Sequence, residues 1–310
     1  MGIPYISVVV PTYNRKKVLA KCLAALVEQD FDKSKYEIIL IDDGSTDGTD
    51  KLIKEVADKA LCEVLYLRND HMGSASARNR GIRSSKGQFI LFIDDDIIAN
   101  PNLIKEHYDW HVRLKKKENA VLGYVTWSSE IKITPFMRWL ENGGPQFHFW
   151  QIMDKVDIEN PRYFYSANLS LSREFLLENE GFFSEDFPYA ACEDTELSYR
   201  LYKRGMEIKF NKDAVGYHYN PTNLVKYSRK MVYTGISLSI LAEKLPEQFS
   251  AEVPKFSSIK KIVNVFYPVL TWVTSFIDHY LNIELKPLYG RITDYYKYKG
   301  ILIRSRRLKK

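Results

Sequence analysis

Apolar positions along the first hundred residues fall into short runs separated by amphipathic stretches. Ile6-Ser7-Val8-Val9-Val10 is a β-branched run stopped by Pro11, the pattern of a strand buried on both faces. Val18, Leu19, Cys22, Leu23, Leu26 and Val27 then recur at helical spacing. Further strands are predicted over 37–41, 63–67 and 88–93, with helices over 50–59 and 74–83 between them. Asn100-Pro101 predicts a helix N-cap with proline at the first position, and that helix runs to about Lys117. Strands follow over 120–127, 167–171 and 207–219. Ser172 caps a short helix, residues 193–204 and 222–244 are helical, and Gly205 follows the former as a C′ residue. Residues 128–165 are irregular and aromatic, broken by Gly143-Gly144-Pro145. This alternation predicts an α/β fold: βαβ units forming a mainly parallel, Rossmann-like sheet flanked by helices, with a C-terminal helical extension.

Composition narrows the class. The 310 residues are 45% apolar, enough for a sizeable core. Cys22, Cys62 and Cys192 are odd in number and lack metal spacing, which predicts free thiols in a reducing cytoplasm. Met1 to Tyr5 lead straight into the first predicted strand, which predicts no secretory signal, and Ile6 breaks the myristoylation pattern. Charge is uneven: residues 255–310 hold 12 Lys/Arg against 3 Asp/Glu, whereas residues 1–254 are slightly acidic, so the body of the protein is not a nucleic-acid binder. Ile262 to Ile277 is apolar but only 16 residues long, short for a bilayer span. Flanked by Lys260-Lys261 and by the basic stretch 304–310, it predicts a segment lying on an anionic membrane surface; a helical lid with a solvated basic tail is the alternative.

Three polar clusters sit at the carboxyl ends of predicted strands, where ligands bind in parallel α/β sheets: Pro11-Thr12-Tyr13-Asn14, Asp42-Asp43-Gly44-Ser45 and Asp94-Asp95-Asp96. Neither GxGxxG nor GxxxxGK[ST] occurs after the first strand, which argues against a dinucleotide-binding domain and a P-loop NTPase. Three adjacent carboxylates repel one another unless a cation neutralises them. Hard oxygen donors suit Mg²⁺ or Mn²⁺, which usually also hold substrate phosphates; a solvated acidic turn is the competing reading.

Val8-Val9-Val10-Pro11-Thr12-Tyr13-Asn14-Arg15, Ile41-Asp42-Asp43-Gly44-Ser45-Thr46-Asp47, Ala77-Arg78-Asn79-Arg80-Gly81 and Phe92-Ile93-Asp94-Asp95-Asp96 occur in this order. The set resembles the nucleotide-binding half of the family-two glycosyltransferases, which have the GT-A fold. The resemblance is close over residues 5–100 and looser to about 220, through Glu193-Asp194 and His218.

The resemblance implies roles. Pro11, Thr12, Tyr13 and Asn14 would line the nucleotide, with Pro11 and Tyr13 bordering the base. Asp43 would accept from the base's imino N–H, which favours a UDP-sugar. Arg78 would lie near the nucleotide; alone it reads as a surface salt-bridge residue. Asp94 would be shared between ribose and metal, Asp95 would shape the donor turn, and Asp96 would bind a Mn²⁺ or Mg²⁺ bridging the diphosphate, with His218 completing the metal shell. His218 equally fits a hydrogen-bonded histidine between Tyr217 and Tyr219. Asp194, with Glu193 beside it, would be the general base that takes the acceptor hydroxyl's proton, predicting inversion. Trp127, Trp139, Phe147, Phe149 and Trp150 fall where the family builds its acceptor site, though each also suits core packing. His107 and His111, four apart without an HExxH pattern, read as surface residues.

The division this implies is a GT-A catalytic domain over 1–245, with nucleotide-binding (1–100) and acceptor (101–245) halves, and a basic, membrane-associating segment over 246–310. Expected partners are a nucleotide sugar, a saccharide or lipid-linked acceptor, and an anionic membrane surface on the inner face of the cell membrane. A sugar nucleotidyltransferase is the first rival, but its strand-end loop would be glycine-rich, unlike Pro11 to Lys17. A non-catalytic interaction protein on the same scaffold is the second.

Overall fold

The computed structural model describes residues 3–253 and 266–307. They form two compact units: Met1–Ile131 with Gln151–Glu185 and Leu197–Asn220, and Lys132–Trp150 with Asp186–Glu196 and Pro221–Lys310.

The first unit is built on a nine-stranded sheet. Its strands are β1 (Ile6–Thr12), β2 (Tyr36–Asp42), β3 (Glu63–Arg68), β4 (Phe89–Ile93), β5 (Ile97–Ala99), β6 (Asn119–Trp127), β7 (Asp157–Ile158), β8 (Asn168–Ser172) and β9 (Glu207–His218). The order is β3-β2-β1-β4-β8-β6-β9-β5, with β7 also on β9. β1, β2, β3 and β4 pair in parallel. β8 is antiparallel to both β4 and β6, so β6 resumes the direction of β4, and β9 runs parallel to β6. Six strands therefore share one direction, and Thr12, Asp42, Arg68, Ile93, Trp127 and His218 end on one edge. β1, β2 and β4 are almost wholly buried, which is why they read as unbroken apolar runs.

Helices α1 (Lys16–Val27), α2 (Thr49–Ala57), α3 (Ser74–Ser84) and α4 (Leu103–Leu114) connect the strands. α3 packs so tightly on the sheet that a Cβ on Gly81 would land on Val9 Cγ1, which explains a glycine inside this helix. α4 starts two residues later than Asn100-Pro101 predicts. Asn100 is held in a turn: its N–H donates to Val215 O, and its Oδ1 accepts from Asn102 N–H. The three-residue β5, hidden between acidic turn and proline, carried no readable period.

His107 and His111 are buried, not on the surface. Asn168 Nδ2 donates to Tyr124 O and Ala214 O, so its Oδ1 must accept, and His107 Nε2–H supplies the proton at 2.9 Å. His107 Nδ1 then accepts from the Ser170 hydroxyl, which in turn accepts from His111 Nε2–H, both at 2.8 Å. His111 also stacks on Phe89 at 4.1 Å. Burial holds both rings neutral, lowering His107 to about 4 and His111 to about 3.

Short α6 (Arg173–Glu178) follows β8, and Ser172 accepts from Phe175 N–H as its cap. α7 is Glu193–Tyr202.

The second unit holds α5 (Pro135–Glu141), α8 (Leu224–Lys244), α9 (Pro246–Phe249), α10 (Tyr267–Phe276) and α11 (Lys286–Arg307). Its core is aromatic: Phe136 meets Tyr289 at 5.2 Å and Tyr227 at 5.7 Å. Asp278 accepts from Phe136 N–H and the Tyr289 hydroxyl. α8 and α11 touch backbone to backbone, and a Cβ on Gly235 would land on Lys297 O. Of the basic, apolar C-terminal segment, residues 254–265 and 308–310 lie outside the described residues. Among the described residues, no helix is long and apolar enough to cross a membrane. Cys22 and Cys62 are buried and Cys192 is half-buried.

Candidate functional site

Asp94, Asp95 and Asp96 form the tight turn between β4 and β5, closed by Ile97 N–H to Asp94 O at 3.0 Å. The three carboxylates point to different partners. Asp94 accepts from Arg78 Nη2 at 2.8 Å. Asp95 is buried and accepts from the Thr12 hydroxyl at 2.7 Å and Arg15 Nη1 at 2.8 Å. Asp96 Oδ2 receives Arg15 Nη2 at 2.8 Å, Asn220 Nδ2 at 2.9 Å and His218 Nε2 at 3.2 Å.

Arg15 thus forks across two adjacent carboxylates, which offsets the repulsion that three neighbouring aspartates create. Burial pushes the Asp95 carboxyl up to about 7, against the pull of Arg15. For Asp96 burial also pushes upward, but His218 and Arg15 outweigh it and hold the carboxyl well below its ordinary range.

His218 reaches Asp96 because β9 runs parallel to β6 and ends on the same edge as β4. Opposite it in register is Trp127, whose ring stacks on the imidazole at 5.0 Å. Among the described residues no group of three or more His, Cys, Asp or Glu side chains is arranged around a common metal position. The Asp96–His218 pair nonetheless supplies a carboxylate and an imidazole, a donor set that fits an ion keeping its other positions for water and phosphate oxygens.

The nucleotide-side residues gather at the ends of β1 and β2. Thr12 lies opposite Asp42 in register, and Asp43 N–H donates to Thr12 O at 2.8 Å. Asp42 is an internal brace, accepting from Ser45 N–H, the Tyr66 hydroxyl and Arg68. Asp43 accepts from Met72 and Gly73 N–H, both at 2.8 Å, which ties β2 to the loop before α3. Asn14 adopts a left-handed φ of 50°, and its Oδ1 accepts from Thr46 N–H. Tyr13 is 42% exposed and stacks on His71 at 4.2 Å; Pro11 is half-buried. Arg78 is buried, its guanidinium 5.4 Å from the Phe183 ring centroid, so the surface reading of this residue gives way.

The sheet edge therefore brings together Pro11, Thr12, Tyr13, Asn14, Asp43, Arg78, Asp94, Asp95, Asp96 and His218. Glu193 and Asp194 lie in the first turn of α7 within the second unit, Glu193 buried and Asp194 half-buried. Arg15 and Asn220 are the participants that sequence reasoning passed over. Arg15 stood in the first motif, immediately after a strand-end cluster, which was its one signal. Of the five aromatics, Trp127 backs His218, Trp139 packs on Phe136 and Tyr289, Phe149 is buried near Phe147, and Trp150 is exposed.

Comparison with known proteins bears on the family and the fold. The chain is 25% identical over 294 residues to chondroitin synthase from Escherichia coli, a match covering 85% of this chain and 42% of the synthase. The chain thus spans less than half the length of that relative. Its structure resembles the Pyrobaculum calidifontis mannosyltransferase PcManGT in complex with GDP-Man and Mn²⁺ (TM-score 0.64, 16% identity, 98% of this chain and 88% of that chain). It also resembles Staphylococcus aureus TarS 1–349 in complex with UDP (TM-score 0.57, 19% identity, 98% and 92% covered), which bears out the GT-A fold. The family model for glycosyl transferase family 2 matches residues 7–175, the span that carries the three strand-end clusters and the α3 motif Ala77 to Gly81, and the chain belongs to that family.

Proposed function

We propose that the chain moves a sugar from a nucleotide-diphosphate sugar, a UDP-sugar, to a hydroxyl of a lipid-linked or cell-envelope saccharide, inverting the anomeric carbon. The observation that carries this reading is the convergence of Arg15, Arg78, Asp94, Asp96 and His218 on one sheet edge, beside Pro11, Tyr13 and Asp43. Pro11, Thr12, Tyr13 and Asn14 would border the nucleotide. Each Asp43 oxygen holds one backbone N–H, and Oδ2 also faces His71 Nδ1 at 3.4 Å, so Oδ1 is the oxygen with a lone pair for an imino N–H, a donor that uracil has and adenine lacks. Asp94 and Arg78 would meet the ribose and phosphates, with Asp95 fixing the turn.

Asp96 and His218, with Asp94 at the margin, would hold Mn²⁺ or Mg²⁺, which when bound neutralises charge on the diphosphate. Asp194, with Glu193 beside it in the acidic pair, would accept the proton as the acceptor oxygen bonds to the anomeric carbon. The bond from that carbon to the diphosphate oxygen breaks, and the nucleoside diphosphate leaves with the electron pair. A diphosphate is a good enough leaving group to need no general acid, so one carboxylate suffices and displacement is direct. In this reading catalysis belongs to residues 1–245, and the chain works at the cytoplasmic face of a membrane through residues 246–310.

A thermal-shift screen of nucleotide sugars with and without Mn²⁺ tests the donor. UDP-sugars should stabilise the chain, more so with Mn²⁺. Stabilisation by UTP with a sugar phosphate, accompanied by pyrophosphate release, would instead identify a nucleotidyltransferase. Anomeric analysis of the product by NMR tests the stereochemistry, and retention would exclude direct displacement.

A further inference from the structure

The polarity of α10 is inverted. Its inward face is polar: Thr271, Thr274 and Ser275 are buried, and Asp278 beyond the helix is buried too. Thr271 satisfies its hydroxyl on Tyr267 O at 2.7 Å, and Asp278 is held by Phe136 N–H and Tyr289. The outward face is apolar, with Val269, Trp272, Val273 and Phe276 exposed and the stripe continuing through Tyr280 and Leu281. Trp272 is 65% exposed and Tyr280 70%. The rings lie one along the next: Trp272 to Phe276 at 6.0 Å, Phe276 to Tyr280 at 4.8 Å. Exposed large apolar side chains elsewhere among the described residues are scattered from Ile3 to Tyr233, whereas these are contiguous. A helix facing water normally shows the opposite arrangement.

Charge tells what covers this face. A hollow of about 550 Å³ beside it is lined by Lys226 and Arg229 of α8 together with Trp272, Phe276, His279 and Tyr280, and by no carboxylate. Lys226 and Arg229 are exposed. Cations bordering a stripe of Trp, Phe and Tyr match the boundary between lipid headgroups and acyl chains. The surrounding segment 255–310 is strongly cationic as well. We propose that this face docks on an anionic phospholipid bilayer. Trp272, Phe276 and Tyr280 enter the headgroup–acyl boundary, and Lys226 and Arg229 receive lipid phosphates in the hollow. This deepens the membrane-side location in the proposed function and rests on it, but uses none of the residues assigned to donor or base.

The test is flotation of the full chain with vesicles of phosphatidylcholine alone or with about a quarter phosphatidylglycerol. Wild type should float with the anionic vesicles at low salt and be released at about 0.5 M salt. W272S/F276S and K226E/R229E should each lose at least about tenfold in partitioning. Matching thermal unfolding would show that these surface changes leave the fold intact. Wild-type chain that stays unbound at low salt, or W272S/F276S that floats like wild type, overturns the proposal. Lipid-free dimers that W272S/F276S converts to monomers would assign the face to a second copy and overturn it equally. Transfer to a water-soluble saccharide should persist in both variants; floating chain without transfer would sink the catalytic reading alone.

Discussion

Acidification should loosen the first unit through His107 and His111. Both titrate below their ordinary value near 6.5, at about 4 and about 3. The unfolded chain therefore takes up protons first as pH falls. Their contribution to stability is complete above about pH 6.5 and is lost progressively as pH drops towards the two folded values. A solution at pH 5 stands about 1.5 below the unfolded value and still above both folded values, which at about 1.36 kcal/mol per pH unit is about 2 kcal/mol apiece, or about 4 for the pair. That is a large part of a typical total of about 5–15 kcal/mol. Asp95, which burial pushes upward, works oppositely: the folded chain takes its proton first, so acidification favours the folded state through this group. A comparison between proteins separates the two effects. H107Q/H111Q keeps one donor and one acceptor near each nitrogen position but cannot ionise. Urea unfolding at pH 7.5 and 5.0 should show wild type losing about 4 kcal/mol more than the double variant on acidification. Equal pH dependence in the two proteins, or imidazole NMR titrations near 6.5 in the folded chain, would refute the reasoning.

Three further outcomes are expected. Arg15→Ala removes two charge-assisted hydrogen bonds and leaves Asp95 and Asp96 facing each other, so the melting temperature should fall. Nucleotide-sugar affinity by calorimetry should fall at least about tenfold, and Arg15→Lys should not restore it, because a single ammonium does not bridge both carboxylates in the planar fork. Asp194→Asn should cut transfer by at least about a hundredfold while leaving nucleotide binding unchanged; retained turnover would remove Asp194 from the role of base. Gly235→Ala, which drives a methyl into Lys297 O, should cost about 1–3 kcal/mol in denaturant unfolding, and a neutral result would mean that α8 and α11 separate freely.

The early strands were legible because burial on both faces erases alternation and leaves bare apolar runs ending in polar clusters, as at Val10-Pro11, Ile41-Asp42 and Ile93-Asp94. The direction of β8 left no such trace, since a strand reads the same whichever way its neighbours run. The histidine pair misled for a related reason. Two polar residues four apart on a helix look solvated until Ser170 and Asn168, about sixty residues on, supply the hydrogen bonds that make burial tolerable. At the site, residues were legible where a local cluster marked them, as with Asp94 to Asp96. Arg15 gained meaning only when the chain folded it back over that turn. Composition marked the C-terminal segment as basic and aromatic, but the side on which α10 carries its rings depended on which face Thr271, Thr274 and Asp278 claimed.

The hydrogen bonds on Asp96 also bear on the order of folding. One carboxylate oxygen is shared by Arg15, near the chain's start, and by His218 and Asn220, some two hundred residues later. β1 to β3 pair with strands next to them in sequence, whereas this junction closes only when β9 has docked, among the slowest kinds of contact to form. A ligand that needs the finished edge would bind late and would stabilise only the completed sheet, so nucleotide binding during refolding would report the arrival of β9 rather than collapse of the amino-terminal strands.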